Sequence, residues 1–228
     1  MCEWRYLRTK AMRTIISIWA LCTSVCIMAQ TQLKESIAVE NQDKLKLNFD
    51  FADDINFEIW DSNQVVVEAT VHINDGEDDE MFKIEKSVRA NSIYFGMDKR
   101  NWEKYVDQKR KNCWNSEITI NIKLPRQMEI DAETISANFT VDYYGQPMYF
   151  KTISGDIDLN VLETADLDFH VKTISGDIYS DLDVAFPDGK DGLRQVVGMN
   201  VNGRIGEGGS FSDLETISGN IYLRKRGG

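Results

Sequence analysis

TISGDI at residues 152–157 returns unchanged at residues 173–178. Three more hexamers keep its pattern: TISANF at 134–139, NVNGRI at 200–205 and TISGNI at 216–221. Their starts lie 18, 21, 27 and 16 residues apart, and the 27 contains FPDGKDGLRQ (186–195), which reads as a polar insertion. A period near twenty without helical spacing marks a stacked-repeat architecture. One slot of the hexamer holds Gly155, Gly176, Gly203 and Gly219, with Ala137 in the first copy. A glycine before a polar residue, between apolar ones, predicts a tight bend with positive φ. Ser154, Ser175, Asn202 and Ser218 precede that slot and can bond to local backbone; Asp156, Asp177 and Asn220 follow it in three copies.

The flanks alternate with period two. Ile157, Leu159 and Val161 are separated by Asp158 and Asn160; Leu167, Phe169 and Val171 by Asp168 and His170. That is strand alternation with one wet and one buried face. The parity slips at each hexamer, where Val171 and Ile174, Phe150 and Ile153, and Leu214 and Ile217 are three apart. A corner at the Thr would produce the slip, with both apolar sets pointing inward. The predicted fold is all-β: a single-stranded parallel β-solenoid with coils of about 16–21 residues, each climbing about 4.8 Å. Ile would stack on Ile inside, and Ser and Asp/Asn would form columns outside. The competing architecture is an antiparallel β-sandwich, which also uses short alternating strands. Few Asn-Gly or Asp-Gly hairpin signals separate the repeats, and this favours the solenoid.

The chain has 228 residues, 42% hydrophobic and 28% charged, enough for one core. Arg5, Arg8, Lys10 and Arg13 precede sixteen uncharged residues (14–29), after which the chain turns polar. This order predicts a secretory signal peptide over 1–29, cut after Ala29, and the run is short for a membrane-spanning helix. The expected organisation is a single domain over 30–228, with irregular early coils at 33–124 and regular coils at 125–223. Losing four cations and Glu3 with the leader takes the net charge from −11 to −14. Such acidity repels phosphate backbones and argues against nucleic acid as a partner. Only Cys113 remains beyond the leader, so an internal disulfide is excluded, and a lone Cys is read as a small packed side chain.

The earlier half alternates in segments 45–51, 55–60, 65–73, 82–88, 92–97 and 118–125, read as degenerate coils. Two stretches interrupt it. DGEDDE (75–80) is a charged tip without the ordered spacing of a calcium loop. KRNWEKYVDQKRK (99–111) mixes cations with aromatics. Trp102, Tyr105, Trp114, Lys109 and Arg110 are therefore the candidate binding residues, for a glycan or anionic polymer. The bland reading is a loop or short helix whose aromatics pack down.

Catalysis finds little support. Asp156, Asp177 and Asn220 would stack at one corner, but turn preference explains them without chemistry. His72 and His170 are the two histidines, and His170 reads as an outward strand residue. No Ser-His-Asp set and no metal-spaced His set is visible. No cofactor and no metal are expected.

The TISGDI hexamers, INFEIWDSNQVVVEA (55–69) and ITINIKLPRQMEI (118–130) resemble the putative-adhesin family of bacterial envelope proteins, related to the head GIN domain of putative autotransporter adhesins. The likeness spans roughly residues 37–223, with the insertion at 186–195 and the basic segment as departures. It implies a β-solenoid exported to the envelope, with no established catalytic residues. The expected function is that of a non-enzymatic adhesin or binding/scaffold protein in the periplasm or at the cell surface, with a glycan or envelope protein as partner and no membrane span after cleavage. The alternative is an envelope polysaccharide lyase or hydrolase working through a carboxylate cluster.

Overall fold

A computed structural model describes residues 30–109, 115–186 and 198–226, with backbone alone over 106–109. The leader lies outside the described residues. Sixteen strands follow: β1 (Thr31–Ala38), β2 (Lys44–Asn48), β3 (Asp54–Trp60), β4 (Gln64–Ile73), β5 (Ile84–Val88), β6 (Ser92–Met97), β7 (Ser116–Pro125), β8 (Glu129–Glu133), β9 (Asn138–Asp142), β10 (Met148–Lys151), β11 (Ile157–Leu162), β12 (Leu167–Thr173), β13 (Ile178–Ser180), β14 (Met199–Ile205), β15 (Ser210–Thr216) and β16 (Ile221–Arg226). One helix, α1 (Lys99–Lys109), joins β6 to β7, and two short 3₁₀ turns follow β4. The all-β expectation holds. No helix among the described residues is long and apolar enough to cross a membrane.

The strands form two eight-stranded mixed sheets, β1-β4-β7-β3-β9-β11-β16-β13 and β14-β12-β15-β10-β8-β2-β6-β5. Their inner faces share one core, where Phe150 of the second sheet meets Phe57 and Phe139 of the first at ring-centre distances of 5.3 and 4.9 Å. The central strands of each sheet pair in parallel; antiparallel pairs flank them, as in β1/β4, β4/β7, β5/β6 and β12/β14. Neither expected architecture is met in full. The chain is not a sequentially wound coil, and the sandwich it forms is not antiparallel at its centre.

Five pieces of chain do repeat one shape. Each runs along the second sheet, turns a corner and returns in the first: β2/β3, β8/β9, β10/β11, β12/β13 and β15/β16. These arches stack in register in the order β2/β3, β8/β9, β10/β11, β15/β16, β12/β13. The arch formed last in the sequence therefore lies between two earlier ones. Of the six alternating segments in the early half, only those of β2 and β3 make an arch; β4 to β7 form the antiparallel flanks and the parallel strands beside them.

The corner explains the parity slip. Thr152, Thr173 and Thr216 are buried, and each hydroxyl oxygen accepts the N–H of the hexamer glycine three residues on, at 3.0–3.1 Å. The same hydroxyls donate to the adjoining corner: Thr216 to the Gly155 carbonyl, Thr173 to Gly219 and Thr152 to Ala137. Thr134 makes the equivalent pair with Ala137 N–H and the Phe49 carbonyl. A buried corner leaves backbone groups that need partners, and Thr supplies both donor and acceptor. The inward seat thus belongs to Thr. The first Ile of the hexamer, expected inward, faces out: Ile135, Ile153, Ile217 and Ile174 are 37–47% exposed, whereas the second, Ile157 and Ile221, is buried and stacks arch on arch. Ile174→Ala is accordingly expected to cost less than about 1 kcal/mol by urea unfolding, not the several of a core cavity.

The glycines also have a different cause. Positive φ occurs at Gly76, Gly145, Gly198, Gly206 and Gly208, but not at Gly155, Gly176 or Gly219. Those three are selected by close approach. A Cβ on Gly155 would run into the Ala137 carbonyl, one on Gly219 into that of Gly155, and one on Gly176 into that of Gly219. They form a single file with Ala137. The corner next to Ala137 carries five residues between paired strands rather than four, so the packing differs where the methyl stands. Gly203 is not in this file. It lies on β14, antiparallel to β12, where a Cβ would meet the Phe169 ring.

Candidate functional site

The basic segment is a helix sealed onto the body. Asp98 accepts the Asn101 N–H at its start, and Asn101 Nδ2 donates to the Met81 carbonyl at 2.6 Å. Trp102 and Tyr105 are 2 and 3% exposed. Trp102 stacks on Phe51 and leans on Tyr105, both at 5.7 Å. The Tyr105 hydroxyl donates to Asp78 at 3.1 Å and accepts from Asn74 Nδ2 at 2.9 Å. The acidic tip and the basic segment therefore clasp each other, and these two aromatics face the core instead of a ligand. Arg110, Trp114 and the Lys109 side chain lie outside the described residues.

Burial, with Asp78 beside it, pushes the Tyr105 hydroxyl up to about 12 from the ordinary 10. Burial raises Tyr144 and Tyr143 as well. The folded state keeps these protons to higher pH than the unfolded chain, so stability is full below pH about 10 and falls as pH rises toward about 12. The urea midpoint is expected to drop between those values, and Tyr105→Phe to flatten the drop.

The Asp/Asn column ties arch to arch. Asn138 Oδ1 accepts the Asp156 N–H, Asp156 Oδ1 accepts the Asn220 N–H, and Asn220 Oδ1 accepts the Asp177 N–H, at 2.9, 2.7 and 3.0 Å. Ser154, Ser218 and Ser175 donate their backbone N–H groups to Ile135, Ile153 and Ile217. These residues work in cohesion. Asp156→Ala should cost about 1–3 kcal/mol, the range for a hydrogen bond to a charged group, while Asp177→Ala at the free end should be near neutral. Equal losses in thermal melts would contradict the ladder.

On the outer face of the first sheet, Tyr179 is 51% exposed and stacks on Tyr222 at 5.3 Å and 11°. The Arg224 guanidinium lies 4.5 Å from the Tyr222 ring centre and pairs with Asp158 at 2.7 Å. Tyr179 ends the column among the described residues and donates its hydroxyl to Asp177. A half-exposed aromatic ring beside a carboxylate suits the apolar face and hydroxyls of a sugar. Composition alone did not single Tyr179 out, because its stacking partner is 43 residues away.

The outer face of the second sheet is a charge ladder around a shallow hollow of about 200 Å³, lined by Asp131, Glu133, Tyr149, Lys151, Asp213 and Glu215 among others. Lys44 and Lys46 pair with Glu129 and Asp131. His170, read as a plain outward residue, meets Asp213 at 2.7 Å and Asn200 at 2.9 Å.

No protein-family model matches this chain, and no curated protein matches it. Among solved structures, a putative cell adhesion protein from Clostridium sporogenes superposes with a TM-score of 0.52 at 12% identity, over 86% of this chain and all of that one. A putative adhesin from Bacteroides fragilis aligns at 8% identity over 87% and 99% of the two chains, with a TM-score of 0.25. One from Parabacteroides merdae aligns at 10% over 86% and 96%, with a TM-score of 0.24. At these identities the first likeness is one of fold, and the other two carry no argument.

Proposed function

We propose that this chain is an exported, non-catalytic envelope protein that binds a glycan through its outer sheet faces. The observation that supports the reading is the fold shared, over 86% of this chain, with a protein described as a putative cell adhesion protein. The leader at 1–29 supports export, and 30–228 is read as one domain whose arches derive from a solenoid. The Tyr179 platform is the assigned contact. The exposed cations Lys99, Arg100 and Lys104 add a second, anion-favouring patch.

The test is binding to an array of envelope glycans, with protease shaving of intact cells to place the protein. Binding is expected to fall at least tenfold in Tyr179→Ala with an unchanged melt. An unaffected Tyr179→Ala variant would overturn the site, and retention in the cytoplasm would overturn export. One observation favours a hydrolase as second reading: four carboxylates line the hollow on the second sheet. Release of reducing ends from envelope polysaccharide, lost in Asp213→Asn, would support it.

A further inference from the structure

We propose that His170, Asp213 and Glu215 form a transition-metal site of the kind that takes Zn²⁺. His170 stands on β12; Asp213 and Glu215, two apart on β15, share the outer face. The parallel register sets His170 opposite Asp213. One ligating atom from each residue lies within 4.8 Å of the other two, and all three residues are half-buried. Asp213 and Glu215 also line the hollow, which leaves the remaining side of the site open to solvent.

The imidazole is held in place at both ring nitrogens. Its Nε2 lies 2.9 Å from Asn200 Oδ1 and its Nδ1 lies 2.7 Å from Asp213 Oδ1. A neutral ring carries one N–H. Given to Asp213, that N–H leaves Nε2 facing the Asn200 amide; given to Asn200, it leaves the Nδ1 lone pair beside the Asp213 carboxylate, the arrangement in which the ring and the carboxylate can share a metal ion. Tethering the far ring nitrogen to a carbonyl oxygen is how metal-bound histidines are oriented. One nitrogen with two carboxylates suits Zn²⁺, Mn²⁺ or Co²⁺, whereas Ca²⁺ takes oxygen ligands. Zinc bonds of about 2.0–2.2 Å set tetrahedral ligands roughly 3.4 Å apart. The His170–Asp213 contact opens slightly to admit the ion, and Glu215 closes in. Glu215 gives up only a loose pair with Lys172, 3.7 Å away and well exposed.

This site is independent of glycan binding at Tyr179, which lies on the other sheet. The exported chain, stripped with a chelator, is titrated with ZnCl₂ at neutral pH by calorimetry. One ion per chain is expected, with a raised melting temperature, because the ion binds only the folded state. His170→Gln should abolish that uptake, and Asn200→Ala should weaken it about 10–100-fold. Circular dichroism checks that the variants fold, and Glu215→Gln gives a second, milder loss. Failure of the wild-type chain to take up zinc would overturn the proposal. Uptake unchanged in both His170→Gln and Glu215→Gln would overturn it as well.

Discussion

Gly219→Ala is expected to lower stability by about 3–5 kcal/mol, near the upper end for a single methyl. The added carbon has no cavity to enter. It points at the Gly155 backbone carbonyl, which already accepts the Thr216 hydroxyl at 3.0 Å, and backbone cannot swing aside as a side chain can. The Gly219 carbonyl in turn accepts the Thr173 hydroxyl at 2.9 Å, so displacing this corner disturbs the arches on both sides. Gly176→Ala should cost less, since β12/β13 ends the stack and can shift outward. Gly145→Ala is the control for conformation alone. Its φ is +89° with nothing near a new Cβ, so about 1–2 kcal/mol is expected. Urea unfolding of the three variants checks the order, and a Gly219→Ala loss no larger than that of Gly145→Ala would mean that close approach is not what selects the residue.

Trp102→Ala should cost about 3–5 kcal/mol, the range for deleting a large buried aromatic. Its ring is the wedge between Phe51 and Tyr105, and Tyr105 in turn holds the Asn74–Asp78 turn. Losing it frees α1 and the acidic tip together. The effect belongs in the unfolding curve and in protease sensitivity near 99–109. Glycan affinity of the fraction that remains folded should be unchanged. A stable Trp102→Ala protein with lost affinity would restore Trp102 as a contact residue.

Strand positions were readable because each half-buried strand carries its own period-two signal, as in Leu167, Phe169 and Val171. The recurring corner was readable too, since identical local geometry needs identical residues. Its interior was not. Thr and Ile are neighbours, both β-branched, and alternation alone does not say which faces in; hydrogen bonding to the next corner decides it. The reason for glycine was hidden likewise, because Gly219 is selected by its approach to the Gly155 carbonyl, 64 residues away, and Gly176 by its approach to that of Gly219, 43 residues away. Gly203 shows the converse: it matches the hexamer by letters while its strand runs antiparallel. His170 looked inert because its partners arrive from positions 200 and 213.

The out-of-order arch bears on when this protein can fold. Residues 210–226 fill the gap between β10/β11 and β12/β13, so a nascent chain halted before them has two separated blocks instead of a continuous ladder. Most cooperative burial must wait for that insertion, as pairing across long sequence separations is slow. Under the export proposed above, the ladder would close only once residues 210–226 had crossed.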